Sequence, residues 1–111
     1  MIIISKFWTT LFSFGKANAI TIFPFIFLKY AFFKDKESLI RHERIHLRQA
    51  IELGVIIFYL WYLIEFIIHF VCLRNFDRAY MRISFEREAY DRENDINYLT
   101  KRKIWAFWRY L

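Results

Sequence analysis

Apolar and polar positions divide the chain into blocks of different period. Residues 1–14 are apolar apart from Lys6 and a few hydroxyls, and Gly15 ends the block. From Ala19 to Leu28 the chain reads Ala-Ile-Thr-Ile-Phe-Pro-Phe-Ile-Phe-Leu, a β-branched and aromatic run that favours strand. Pro24 has no N–H for a ladder, so this strand lies at an edge or bends there. The polar cluster Lys34-Asp35-Lys36-Glu37-Ser38 closes it, and Ser38 is a candidate N-cap for a helix opening at Leu39. That helix carries Arg41-His42-Glu43-Arg44-Ile45-His46-Leu47 and continues through Gln49 to Leu53.

The 21 residues from Leu53 to Leu73 contain no Lys or Arg, and Glu65 and His69 are their only acidic residue and only histidine. Unbroken, Leu39 to Leu73 would form about 52 Å of helix at a rise of about 1.5 Å per residue. A globule this small cannot hold such a rod, so the expectation is a bend near Gly54 or a partly membrane-embedded helix. The run at 53–73 is long enough to cross a bilayer core; the alternative is a central helix buried on all sides. Glu65 in its interior argues against a simple lipid-facing span, and His69, one turn on, is its expected partner. Residues 74–84 read as a polar connection with Ser84 as a second candidate N-cap. Phe85 to about Lys101 then reads as a helix with Phe85, Ala89, Ile96 and Leu99 on one stripe. The segment 101–111 mixes Lys and Arg with Trp and Tyr, which suits either a headgroup layer or a helix docked by its aromatics.

Composition sharpens this pattern. A length of 111 residues fits one domain, 1–111, with a modest core. Hydrophobic residues make up 58% and aromatics 23%, against an ordinary apolar share of about 45–50%, so there is more apolar surface than a small core can hide. The net charge is +6, but no block of like charge is long enough to form a nucleic-acid-binding arm. The expected partner is therefore a membrane surface and not a nucleic acid. Cys72 is the only cysteine, which excludes an intrachain disulfide and a four-cysteine zinc site. Ala17-Asn18-Ala19 has the form of a signal-peptidase site, but Lys16 beside it and the interrupted apolar stretch before it argue against cleavage.

The candidate chemistry lies in the His42-Glu43-x-x-His46 segment. Residues four apart on a helix share a face, so His42 and His46 can point two imidazole nitrogens at one ion. Zinc takes neutral histidine nitrogens in a tetrahedral set, and two such ligands make half a site. Glu43 is offset from the pair and is the expected base for a metal-bound water. A third ligand is needed. His69 lies deep in the apolar run, so the better candidate is Glu86 in Phe85-Glu86-Arg87-Glu88-Ala89-Tyr90. Tyr90 shares the face of Glu86 and is expected to hydrogen-bond a ligand, whereas Glu88 points elsewhere.

With these two motifs the chain resembles the gluzincins, zinc metallopeptidases with a downstream glutamate ligand. It is most similar to small, hydrophobic, membrane-associated bacterial types, among them the CAAX-processing proteases and the peptidase domains of penicillin-sensing receptors. The resemblance covers roughly Ala19 to Tyr98. It implies a mainly α, minimal zincin-like fold, with the His-Glu helix packed on a second, Glu-bearing helix and a short N-terminal edge strand or hairpin along which a peptide is laid. It implies His42, His46 and Glu86 as ligands of Zn2+ and Glu43 as the catalytic base. The membrane proteases carry an aspartate four residues after the ligand glutamate, bracing a zinc histidine; here Tyr90 stands in that position and Asp91 follows it. Tyr80, Tyr90 and His69 are the candidates for stabilising an oxyanion. The expected function is hydrolysis of a peptide or protein substrate by a metal-activated water, at a membrane (the bacterial inner membrane) or alternatively in the cytoplasm. The rival expectation is a non-catalytic zinc-binding module that interacts with a membrane, its metal holding the two helices together.

Overall fold

The computed structural model describes residues 2–111. It is mainly helical with a small sheet, built in the order β1 (Ile2–Ile4), α1 (Lys6–Ser13), β2 (Ala19–Ile22), β3 (Phe25–Leu28), a 3-10 turn (Ala31–Asp35), α2 (Glu37–Leu53), α3 (Val55–Leu73), α4 (Phe76–Arg82), α5 (Ser84–Arg92), α6 (Tyr98–Lys101) and a 3-10 segment (Ala106–Tyr110). Of the two expectations for 19–28, a strand at an edge or one bent at Pro24, the second holds: the run is a hairpin that turns at a cis Phe23–Pro24 bond. β3 is central, with β2 antiparallel on one side and β1 parallel on the other. Ile26 and Leu28 point from β3 to the same face as Ala19 and Thr21 of β2, and Ala19, Ile26 and Leu28 pack on Ile40 and Leu47 of α2. Phe27 faces the other way, onto Phe12 of α1. α1 was not expected. Ser5 caps it by accepting from Trp8 N–H, and Phe14 and Gly15, both at positive φ, end it.

The motif helix α2 opens earlier than its sequence suggests. The preceding 3-10 turn feeds directly into it, so Lys36, not Ser38, holds the N-cap position, and its carbonyl accepts from Ile40 N–H. The expected bend is present. Gly54 adopts φ 85° and ψ 138°, a backbone conformation that suits glycine, and α3 starts in a new direction.

Residues 74–84 are not a plain connection. Arg74 turns the chain at φ 54° and Asn75 caps α4 by accepting from Arg78 N–H. α4 then runs back along α3, with Phe76 against Phe66. Ser84 does not cap α5; Ile83 occupies that position. The cap comes from Glu65 of α3, whose carboxylate accepts from Ser84 N–H at 2.9 Å, Ser84 Oγ at 2.5 Å and Trp61 Nε1 at 2.8 Å. A carboxylate at a helix N-terminus is favourable, so Glu65 in the apolar run serves α5 and is not paired with His69. The helix expected to reach Lys101 stops at Arg92, because Asp95 makes a side-chain turn with Asn97 N–H and pairs with Lys101.

The basic-aromatic end divides its residues between two environments. Phe107 is fully buried against Phe85 and Trp61, whereas Trp105 and Trp108 stay exposed. Arg102 turns inward and joins Glu88 and Glu52. The core about Phe58, Phe85 and Phe107 thus ties α3, α5 and the end of the chain together.

Candidate metal centre

α2 packs against α5 and brings polar side chains into their shared interior. His42, Glu43, His46 and Glu86 are exposed by only 4, 5, 5 and 3%. Glu86 Oε1 lies 3.0 Å from His42 Nε2 and 3.1 Å from His46 Nε2, and the two nitrogens are 3.2 Å apart. Three such atoms would stand roughly 3.3 Å apart as corners of a tetrahedron about an ion bound at about 2.0–2.1 Å. The near-equilateral triangle, with two imidazole nitrogens and one carboxylate oxygen, therefore fits a divalent transition metal. Among the described residues this is the cluster of His and Glu able to hold an ion. His69 and Cys72 lie outside it.

Glu86 is oriented from α3 and His46 from within α2 itself. Glu86 Oε2 accepts from the Tyr62 hydroxyl at 2.7 Å, which turns Oε1 to the histidines. Gln49 stands one turn beyond His46, and its amide nitrogen donates both to the Phe85 carbonyl at 3.1 Å and to Glu88 Oε1 at 3.0 Å. Both partners only accept, so the amide oxygen must face His46 Nδ1, at 2.8 Å. His46 therefore carries a hydrogen on Nδ1 and directs Nε2 into the triangle. Glu88 is itself fully buried. Burial alone would raise its carboxyl, but hydrogen bonds from Arg102, Tyr98 and Gln49 outweigh that and hold it low.

Tyr90 is placed differently from expectation. Tyr90 does not bond a ligand: its ring packs edge-on against His42 at 4.3 Å and its hydroxyl pairs with that of Tyr80 at 3.3 Å. The carboxylate nearest His42 Nδ1 is that of Glu93, at 3.8 Å, and Arg41 anchors the Glu93 backbone by donating to its carbonyl. Asp91 instead accepts from Tyr110. Of the three oxyanion candidates, Tyr80 and Tyr90 adjoin the cluster, and His69 does not belong to it.

Glu43 is separate from the triangle. Thr21 Oγ1 on β2 lies 3.0 Å from its Oε2 and 3.1 Å from its carbonyl oxygen, which ties the carboxylate to the sheet edge. Burial pushes the Glu43 carboxyl up, and the charges of His46 and His42 pull part of that back. The histidine–glutamate contacts work the other way. Burial would lower His46, but the Glu86 carboxylate against it prevails and raises it to about 9. Burial likewise would raise Glu86, but the His46 charge and hydrogen bonds from both histidines hold it well below the usual carboxylate range.

Gln49 lay within reach of a sequence reading, since it shares a helix face with His42 and His46. Tyr62 and Glu93 carried no such signal, because they meet the site from other elements. Comparison with family models, with curated proteins and with solved structures returns no match to this chain.

Proposed function

We propose that the chain is a membrane-associated, zinc-dependent metallopeptidase of gluzincin type. The observation that carries this reading is the His42–His46–Glu86 triangle with Glu43 held outside it, beside the β2 edge. Bound by the three ligands, a zinc ion would polarise a scissile carbonyl and acidify a water molecule. Glu43 takes the proton of that water and delivers it to the leaving amine; its raised pKa suits a group that must both accept and release a proton. Thr21 holds one carboxylate oxygen and leaves the other for this work. In the Tyr80–Tyr90 hydroxyl pair one phenol donates to the other, which leaves the second phenol's hydrogen as the donor for the developing oxyanion. Burial raises both phenols, so they keep their hydrogens at neutral pH.

The strand edge supports a peptide substrate. Lys29 N–H donates to Asn18 O, and in an antiparallel pair the bonded positions alternate, so the backbone groups of Ala19 and Thr21 point away from β3. Tyr59 Oη already donates to the outward Thr21 carbonyl, and an extended chain added at this edge would run beside Glu43.

A second reading, a non-catalytic zinc module, is favoured by the near-complete burial of the three ligands. One experiment separates the two. A peptide-library digest in detergent micelles with zinc is run on wild type, Glu43→Gln and His46→Ala. For a peptidase, Glu43→Gln keeps zinc and thermal stability near wild type while cleavage falls by roughly 10²–10⁴-fold. Equal cleavage by wild type and Glu43→Gln would remove the case for catalysis. Bound zinc with no cleavage by any of the three, and lower stability in His46→Ala, would leave the module.

A further inference from the structure

α3 buries Phe58 alone among its nineteen residues. Its outer face is a stripe at helical spacing: Ile57, Leu60, Ile64, Ile67, Ile68 and Val71 are each half or more exposed. By length and composition this is the one helix among the described residues that could cross a membrane. The surrounding fold argues against crossing. At about 1.5 Å per residue α3 is about 28 Å long, close to the roughly 30 Å of a bilayer core, while the largest extent of the molecule is only 36 Å. An upright α3 would draw nearly the whole body to hydrocarbon depth. Three contacts fix the levels: Phe76 with Phe66, Ser84 with Glu65, and Glu86 with Tyr62. The exposed charges of Arg82 and Arg87, which flank Ser84 and Glu86, therefore stand near the middle of α3, where an unpaired charge in lipid is costly.

We propose that α3 lies flat in one leaflet of an anionic membrane, its stripe in the acyl boundary and the rest of the protein above the headgroups. Lipid, and not a second copy, is the occupant because of what flanks the stripe. Trp108 stands 6.2 Å from Trp61 of α3, beside exposed Trp105 and Ile104. Lys101, Lys103 and Arg109 border a concavity at the same end of the chain. Tryptophan with Lys and Arg is the composition of the headgroup layer, and the net charge of +6 matches an anionic surface. This inference rests on the membrane association proposed above but not on the peptidase chemistry, and its readout does not depend on zinc.

The test is a depth profile. In a Cys72→Ser background, single cysteines at Ile57, Ile64 and Val71 are labelled with a fluorophore. The labelled full-length protein is mixed with phosphatidylcholine–phosphatidylglycerol vesicles carrying bromine high or low on the acyl chain. A flat helix gives the same shallow quenching at all three positions. Deep quenching at Ile64 with shallow quenching at Ile57 and Val71 would mean a crossing helix and would overturn the orientation while keeping the membrane. Labels shielded from both lipid and aqueous iodide would mean a protein partner, such as a second copy, and would overturn the lipid assignment. No binding to the vesicles would overturn membrane association as well. As a second measurement, Ile57→Glu and Ile64→Glu should each lower vesicle partitioning by roughly tenfold or more, with an unchanged thermal melt by circular dichroism. Undiminished binding by these folded variants would also sink the proposal.

Discussion

α2 and α3 are consecutive helices joined by one glycine, yet they bury opposite chemistry. α2 turns His42, Glu43, His46 and Gln49 inward, whereas α3 turns most of its aliphatic side chains outward. Buried polar groups persist only where each finds a partner, and α2 meets that condition through partners on three elements: Thr21 of β2, Tyr62 of α3, and Glu86 and Glu88 of α5 reached directly or through one another. α3 meets no corresponding condition on its outer face. Exposed apolar patches of this extent mark a surface that meets something other than water. The pair teaches that in this chain polar side chains are buried where they find hydrogen-bond partners while aliphatic ones stay outside, so hydropathy alone sorts neither helix.

The deepest polar node of the first region offers the strongest way to break the contrast. The Arg102 side chain is 1% exposed and grips Glu88 at 2.6 Å and Glu52 at 2.5 Å. Arg102→Ala leaves the Glu88 carboxylate buried without its cation and should cost about 3–5 kcal/mol in urea unfolding. A cost near zero would mean that this network is solvated and that α2 is no different in kind from a surface helix.

Protons sharpen the comparison next. Without metal, His46 titrates near 9 instead of its ordinary 6.5, and Glu86 titrates below its ordinary 4.5. The stability that His46 supplies is complete below pH 6.5 and disappears as pH rises through 9, while that of Glu86 disappears only on acidification below 4.5. The chelated protein should therefore lose on the order of 3 kcal/mol between pH 6.5 and 9. With zinc present the Nε2 proton is already displaced, so urea unfolding should show no such fall over this range.

A smaller effect is expected one shell out from the ligands. Gln49→Leu removes the acceptor that fixes the His46 tautomer, and zinc affinity should drop by roughly 10–100-fold in a chelator competition. Tyr62→Phe frees one oxygen of Glu86 and should sit at the low end of that range. Unchanged affinity in both would mean that the ligands hold their orientation without these neighbours.

What the sequence made legible follows from how far apart the cooperating residues lie. His42 and His46 declare themselves because one helical turn joins them, and the Gly54 break because the rod would otherwise be too long. The sequence points to the second helix as the source of Glu86, yet that helix ends at Arg92 and not near Lys101, since Asp95 looks like any polar helix residue until its side chain turns back on Asn97. Taken with their sequence neighbours alone, Glu65 suggests a partner for His69 and Ser84 a helix cap. They belong to one another across nineteen residues of chain, a pairing that depends on α4 folding back, and nothing in the 74–84 segment announced that helix beyond the cap at Asn75. Sharing a face with Glu86 leads to the expectation of a hydrogen bond from Tyr90, but its ring packs on His42 instead, and the carboxylate facing His42 comes from Glu93, just past the end of the helix.

The smallest effect is expected where hydropathy alone would forecast a large one. Ile64 sits mid-helix in the apolar run, and a reading of α3 as a central core helix would assign Ile64→Gln a penalty of several kcal/mol, as for any large aliphatic side chain removed from a core. In the fold Ile64 is 56% exposed, so in water the substitution trades one solvated surface for another. Urea unfolding of the purified protein should shift by about 0.5 kcal/mol or less, in contrast to Phe58→Ala on the inner face, where the ring packs between Tyr59, Tyr62 and Phe85. A large loss at Ile64 would show that the outer face is covered in the native state even without lipid. Self-association of the wild type would then be the first measurement to make, because a second copy is the only other apolar surface present in a pure sample.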